Sequence, residues 1–228
     1  MPASSGAVRR VDVSPQRFDA WIASFGERHG GVLTASAGTD AVTFSAADGS
    51  VAACHVPFPP FSRGDSDEPA AVAGRIVAHV TADRIVGVLL VRLGGYAAGV
   101  FTGPEPVLAA SKVGSRLVHG RSAAGGQSQR RFARRRENQA RHALTAAADT
   151  AAAVFGPFTL DALVLGGDRR AIAGLRNDPR LAEYFELAVD QFLTVPDPRL
   201  TVLRGTPRIF RAIKITVTEP ALPPDNRG

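Results

Sequence analysis

Three consecutive residues, Gly125, Gly126 and Gln127, combine an unusually free backbone with one polar side chain. The two glycines can adopt backbone angles closed to other residues and allow a ligand to approach closely. Gln127 has no useful pKa and cannot be an ordinary general base, but its amide can hold a water molecule and its N–H can donate to a developing oxyanion. That chemistry suffices only for an activated ester whose remaining catalytic environment comes from elsewhere. A glycine turn before a helix is also common, so the triplet alone leaves a structural role open.

The residues around this triplet are strongly basic. From Lys112 to His142 there are nine Lys/Arg residues and one acid, Glu137, a formal charge of +8 in a chain whose total is +6. The positive charge is therefore concentrated in one stretch of the sequence, and such a stretch usually indicates a polyanionic partner. The cations that we expect to contact phosphates are Lys112, Arg116, Arg121, Arg130, Arg131, Arg134, Arg135 and Arg136.

A long helix is predicted to carry both the triplet and most of these cations, from Ser128 to about Phe155, where Gly156-Pro157 ends it. From Ala140 onward apolar residues recur every three or four positions, so this half is expected to pack on a sheet. In the first half arginines cover most of the circumference, and burying them unpaired would be costly. We therefore expect roughly 18 Å of helix to project from the body with Gly-Gly-Gln at its tip. A solvated charged helix is the alternative, but such helices usually mix charges of both signs.

The elements that position this helix fall into two predicted regions. Residues 1–60 form a small N-terminal α+β unit, with a flexible tail over 1–14, a helix over 15–28 and three strands. Residues 61–69 form a linker, 70–220 the main domain and 221–228 a tail. The main domain has strands around a Gly94-Gly95 turn and over 106–113, 160–167, 199–204 and 212–219, and a further helix over 181–193. Strands and helices alternating around one sheet favour an α/β three-layer domain.

Several classes of site are excluded or disfavoured. The only cysteine, Cys54, precludes an internal disulfide and a metal site of the CxxC type. The acidic cluster at residues 65–68 lies in the predicted linker, where solvation is favoured over metal binding, and Asp168 is better explained as a helix cap. No Walker-type glycine-lysine loop occurs, so we expect no nucleotide cofactor. No apolar run of membrane-spanning length and no secretory signal is visible, so a cytoplasmic location is expected.

The wider stretch HGRSAAGGQSQRRFARRRENQARH resembles the hallmark of the class I translation termination factors of eukaryotes and archaea. In that family a basic loop with His-Gly-Arg is followed by Gly-Gly-Gln-Ser, then by Arg-Phe-Ala-Arg-x-Arg and a helix. The flanking strands agree, and the resemblance covers roughly residues 80–175. The chain departs from the pattern at Ser122-Ala123-Ala124, which lengthen the loop, and it has no room for codon-reading or GTPase-binding domains. This layout resembles the Vms-like release factors, in their actinobacterial branch.

The resemblance implies a mixed-sheet, RNase H-like fold similar to the release-factor middle domain. It also implies a codon-independent peptidyl-tRNA hydrolase that acts in ribosome rescue and quality control on stalled large ribosomal subunits. Gly125, Gly126 and Gln127 would be catalytic, no metal or other cofactor would be needed, and the partners would be large-subunit RNA and peptidyl-tRNA. Off the ribosome the chain is expected to be monomeric. Two alternatives remain open at this point: a nuclease that cuts the tRNA 3′ end, and a non-catalytic ribosome-binding or RNA-binding module. His119 and His142 are expected to contact phosphate or to pack rather than to transfer protons.

Overall fold

The computed structural model describes residues 7–92, 95–115 and 127–220, and the side chains of all of these except 127–137. The chain divides into two compact units. One comprises the residues up to Ala82 together with those from Arg211 onward, and the other comprises Asp83–Phe210.

The first unit is an antiparallel five-stranded sheet with two helices against one face. The sheet order is β1-β10-β4-β3-β2, so the last strand of the chain lies between the first strand and the central hairpins. The elements are β1 (Val8–Val13), α1 (Pro15–Arg28), β2 (Val32–Ala37), β3 (Ala41–Ala46), β4 (Val51–His55), α2 (Pro69–Thr81) and β10 (Ile213–Thr218).

The core of this unit follows from the helical and strand periodicities. Phe18, Ile22 and Phe25 share one face of α1 and are buried, and the ring of Phe18 packs edge-on against Phe44 of β3 at 6.4 Å between centroids. The second helix, α2, begins with Pro69 after Glu68, whose carboxylate accepts hydrogen bonds from two backbone N–H groups of the first turn. That cap satisfies donors that have no partner within the helix.

The second unit is built on a mixed five-stranded sheet of order β7-β6-β5-β8-β9. β5 pairs with β8, and β8 with β9, in parallel, whereas the β5–β6 and β6–β7 pairs are antiparallel. The elements are β5 (Val86–Arg92), β6 (Gly95–Thr102), β7 (Val107–Ser115), α3 (Gln127–Phe155), β8 (Ala162–Gly167), α4 (Arg169–Leu175), a 3₁₀ helix (Pro179–Leu181), α5 (Ala182–Glu186), β9 (Ala188–Leu193), α6 (Leu200–Gly205) and α7 (Pro207–Phe210).

Helices cover both faces of this sheet. Ala98 and Val100 of β6 belong to the core formed with α3 and α4. The alternate residues face the other way: Phe101 packs edge-on against Phe210 of α7 at 6.0 Å, and Gly99 lies directly under Leu203 of α6. The predicted fold class, α/β with a mixed sheet between helical layers, is confirmed.

The division into units differs from the boundaries predicted from the sequence. Phe61 is not part of a linker, because its side chain is buried in the core of the first unit and its N–H donates to the carbonyl of Thr39. The predicted main domain starts at residue 70, but the structure has helix α2 there, and this helix packs in the core of the first unit through Val72 and Ile76. Strand β10 pairs with β1 and β4 of the first unit rather than with the second sheet. The predicted tail 221–228 lies outside the described residues.

Three further expectations were wrong at the level of single elements. Residues 8–13, predicted to belong to a flexible tail, form an edge strand that pairs with β10. The helix expected over 181–193 ends at Glu186, and its second half becomes β9, which pairs with β8. Residues 199–204, predicted as a strand, are largely α6, because burial of Leu203 over Gly99 overrides the β propensity of the stretch.

Candidate nucleic-acid interface

Helix α3 carries most of the predicted site. It begins at Gln127 and ends at Phe155, within one residue of the predicted helix. Gly125, Gly126, Arg116, Arg121 and His119 lie outside the described residues. Five predicted phosphate ligands lie on the first turns of α3, where the backbone alone is described: Arg130, Arg131, Arg134, Arg135 and Arg136.

The C-terminal half of α3 is the part that packs. Ala143, Ala147, Ala151 and Phe155 are buried at the predicted helical spacing, whereas four of the five residues over 138–142 are exposed. A helix of this length measures about 43 Å, while the longest strand of the sheet, β7, measures about 30 Å. The helix therefore extends beyond the sheet on which it packs, and among its residues with described side chains, 138–155, burial begins at Ala143.

Lys112 is exposed on β7, at the edge of the sheet. Its register partner on β6 is Ala98, which is buried in the core beneath α3. Because directly paired residues of an antiparallel pair project from the same face, Lys112 lies on the side of the sheet that α3 covers. The structure therefore places this predicted cation on the same face as the basic helix.

Contacts along the C-terminal half of α3 fix its position on the unit. Near the middle of the helix, Leu144 packs against the Cα of Gly174 in α4, where a Cβ atom would lie 2.9 Å from the leucine side chain. Farther along, Asp149 accepts a hydrogen bond from Arg180. At the end of the helix the ring of Phe155 packs edge-on against Tyr184, with the centroids 5.4 Å apart. The segment from α4 to α5 thus runs beside α3 in the same direction.

A tyrosine that sequence reasoning missed lies where β7 leads into the basic loop. The ring of Tyr96 on β6 covers Gly114, its register partner on β7, and a Cβ atom at position 114 would lie 2.5 Å from the tyrosine hydroxyl. Only glycine leaves room for the ring there. The sequence signal for this contact is Gly114 itself, because a glycine near the end of a strand often marks close approach by another group.

Asp168 is a helix cap, as predicted. Its Oδ1 accepts hydrogen bonds from the N–H groups of Arg170 at 2.7 Å and Ala171 at 3.1 Å. His142 is exposed on α3. Within residues 7–92, 95–115 and 127–220 no group of three or more His, Cys, Asp or Glu side chains is arranged to hold a metal ion, and no helix is long and apolar enough to span a bilayer.

Arginines at the two ends of α4 are a second feature that sequence reasoning missed. Arg169, Arg170 and Arg176 are exposed, with the guanidinium of Arg169 over the ring of Phe192 at 4.2 Å and that of Arg176 over Phe185 at 4.8 Å. Phe192 and Phe185 come from a strand and a helix that sequence reasoning did not separate. The stacking could therefore not have been read from the sequence.

The sequence of residues 84–216 matches the family described as the actinobacterial and chloroflexi VLRF1 release factors. The chain belongs to this family. The matched region contains nearly all of the second unit, including α3, and reaches into β10. The VLRF1 release factor chain therefore has its family signature on the unit that carries Gln127 and the basic helix.

Comparisons beyond the family model are distant. No curated protein matches the VLRF1 chain in sequence. Among solved structures, the archaeal translation termination factor aRF1 is similar over 92% of this chain and 68% of its own, with 12% identity and a TM-score of 0.42. Pelota of Archaeoglobus fulgidus is similar over 91% of this chain and 64% of its own, with 10% identity and a TM-score of 0.31.

Proposed function

We propose that this VLRF1 release factor is a codon-independent peptidyl-tRNA hydrolase, which releases nascent peptides on stalled large ribosomal subunits. The observation that carries the proposal is the position of Gln127 as the first residue of a helix in which, among the described side chains of 138–155, burial begins at Ala143. Membership of a release factor family supports a role in translation termination or ribosome rescue. The Gly-Gly-Gln triplet supports the finer assignment to ester hydrolysis.

In the proposed mechanism Gly125 and Gly126 allow the backbone to approach the ester that joins the peptide to the tRNA 3′ end. The amide of Gln127 orients a water molecule towards the ester carbonyl carbon, and its backbone N–H donates to the oxyanion of the tetrahedral intermediate. Collapse of that intermediate breaks the bond to the ribose oxygen, which takes up a proton and leaves as free tRNA. Positioning and the surrounding RNA supply the rest of the rate enhancement.

The basic residues would hold the tip in place. In the proposal, Lys112, Arg116 and Arg121 act with the five arginines at positions 130–136 by neutralising phosphates of large-subunit RNA. Each such contact releases counterions and adds to the salt dependence of binding. No metal or cofactor takes part in the proposed step.

The test uses purified large subunits that carry peptidyl-tRNA, with the products separated by gel electrophoresis. Gln127→Ala is expected to lower the single-turnover release rate by about a hundredfold, because it removes the amide that positions the water and keeps only the backbone N–H that faces the oxyanion. The matched control is Asn138→Ala, which removes an exposed amide from the same helix and is expected to release peptide at the rate of the unmodified protein. Undiminished release by Gln127→Ala would reject the role of Gln127.

The products and the binding behaviour also separate the two rival functions. Ester hydrolysis leaves a tRNA with an intact 3′-terminal CCA, whereas a nuclease would leave a shortened tRNA and a peptide that still carries nucleotides. A non-catalytic module would bind the subunit without releasing peptide, and loss of Gln127 would change neither property. Peptide release that depends on Gln127 and leaves the CCA end intact is the result that our proposal requires.

A further inference from the structure

Three arginines, two at the start of α4 and one directly after its end, lie on the surface of the second unit, outside the basic stretch around Gln127. Arg169, Arg170 and Arg176 are exposed, and in the described part of the chain none of them forms an ion pair with a carboxylate. Asp168, their nearest acidic neighbour in sequence, directs its carboxylate to backbone N–H groups of the same helix. The positive charge of this helix is therefore available to a partner.

Two of these guanidinium groups are held in place by aromatic rings. Arg169 lies over Phe192 and Arg176 lies over Phe185, at 4.2 and 4.8 Å from the ring centroids. Stacking on a ring face leaves the N–H groups at the rim of the guanidinium free to donate, and it reduces the side-chain entropy lost when a ligand binds. Planar, pre-ordered guanidinium groups suit the recognition of phosphate oxygens.

Arg180 provides an internal contrast on the same surface. Its guanidinium donates to Asp149 and Asp178, each at 2.7 Å, so its charge is neutralised within the unit. Arg180 thus has a structural role in fixing α3. The unpaired state of the α4 arginines is a feature of that helix rather than a general property of arginines on this face.

The position of α4 relates these arginines to the basic half of α3. Three contacts follow one another along both segments: Gly174 with Leu144, Arg180 with Asp149, and Tyr184 with Phe155. Because the two segments run in the same direction, the first turn of α4, which precedes Gly174, lies towards the part of α3 that precedes Leu144. Arg169 and Arg170 therefore lie on the side of the unit from which the basic half of α3 extends.

We infer that the exposed face of α4 is a second contact surface for large-subunit RNA, in which Arg169 and Arg170, beside the root of the basic helix, and Arg176, just after the other end of α4, bind backbone phosphates. This inference rests on the proposed function for its partner. It adds to that function a lateral contact that increases affinity and orients the projecting helix. These arginines do not touch the scissile ester and have no catalytic role.

The experiment measures binding of the full chain to purified large subunits at several salt concentrations, by co-sedimentation or fluorescence anisotropy. Arg169→Gln/Arg170→Gln is expected to raise the Kd by roughly tenfold at low salt. The negative slope of log K against log salt is also expected to become shallower by about two, because two phosphates are no longer neutralised. The matched control is Arg204→Gln/Arg208→Gln, which removes the same charge from exposed positions on α6 and α7, on the opposite face of the sheet.

The outcomes separate this inference from the proposed function. If the α4 variant binds with the Kd and salt slope of the α6/α7 control, the contact surface on α4 is rejected, whatever the release assay shows. If both double variants weaken binding equally, the effect is general electrostatics and the inference is again rejected. A selective loss of binding by the α4 variant, with release restored at saturating protein concentration, supports the inference. Undiminished release by Gln127→Ala would reject the catalytic proposal and leave the binding result standing.

Discussion

Nη1 of Arg180 lies 2.7 Å from Oδ1 of Asp149, and this ion pair joins the long helix α3 to the segment that follows α4. The same guanidinium donates to Asp178 through Nη2, also at 2.7 Å. Both partners of the Asp149 pair are about half exposed, at 49% and 59% of their side-chain surfaces, so water screens the interaction. Its main effect is to orient the helix, since one exposed pair adds little to the free energy of unfolding.

Arg180→Gln is expected to lower the stability slightly at neutral pH and by less in acid. The hydrogen bond from Arg180 is the main cause that lowers the pKa of Asp178 in the folded protein. A carboxyl with a lowered folded pKa contributes stability above its unfolded pKa, near 3.9, and this contribution is lost as the pH falls through the folded value. Urea unfolding at pH 7 and pH 2.5 tests this, with Arg204→Gln as the control. A deficit as large at pH 2.5 as at pH 7 would contradict the assignment.

Asp48→Asn is expected to destabilise the first unit at neutral pH. Oδ2 of Asp48 lies 2.9 Å from Nδ1 of the buried His29, and Oδ1 accepts from the N–H of Ser50 at 2.8 Å. The hydrogen bond with His29 is the largest cause that lowers the pKa of Asp48, so its contribution is present above about pH 4 and fades in stronger acid. The control is Asp40→Asn, because within the described residues the carboxylate of Asp40 makes no hydrogen bond. Equal loss of stability in the two variants would refute this role of Asp48.

Gly167→Ala is expected to lower the free energy of unfolding by about 2–5 kcal/mol, from backbone strain plus overlap. Gly167 ends β8 with φ at +97°, and a Cβ atom there would overlap the carbonyl oxygen of Val91. Gly205→Ala is the matched control, since nothing lies within 4 Å of its Cβ position and the change should be neutral or stabilising by up to about 1 kcal/mol. Chemical denaturation of the unmodified protein and the two variants provides the comparison. Near-equal midpoints would show that the close approach of Gly167 to Val91 does not contribute to stability.

Cys54 is expected to be unreactive in the folded protein. Its side chain is fully buried in the core of the first unit, and burial raises the pKa of the thiol well above its usual range. Thiolate is the reactive form, so a thiol reagent should label the protein only when the unit opens. A colorimetric assay should find one thiol per chain in denaturant and almost none within minutes in buffer. Prompt labelling in buffer, with the circular dichroism unchanged, would contradict the burial of Cys54 in the core of the first unit.

Elements with a strong local signal could be predicted closely from the sequence. Helix α1 was predicted at its observed bounds because Pro15 marks its start and three apolar residues share one face. The start of α3 was predicted to within one residue because the glycine pair precedes it. Its end was predicted because Gly156-Pro157 follows it. The predicted apolar stripe of α3 is confirmed from Ala143 onward, because a period of 3.6 residues over several turns is a strong signal, whereas Ala140 at its predicted start is exposed.

Features that depend on distant partners could not be predicted. β1 and β10 pair across most of the chain, and no local pattern assigns residues 8–13 to a sheet. Residues 188–193 were expected to be helical, but pairing with β8 makes them a strand. The basic residues around Gln127 could be recognised in the sequence by their density. The stacking of Arg169 could not, because it depends on Phe192, which belongs to a different element farther along the chain.

The central place of β10 in the first sheet has a consequence for biosynthesis. As the chain leaves the ribosome, β1 to β4 emerge early but cannot complete their sheet, because the strand that joins β1 to β4 is made only after the second unit. The second unit, Asp83–Phe210, is complete before that strand appears. We therefore expect the later-encoded unit to acquire its native fold first, while the earlier-encoded one waits for β10 to be made.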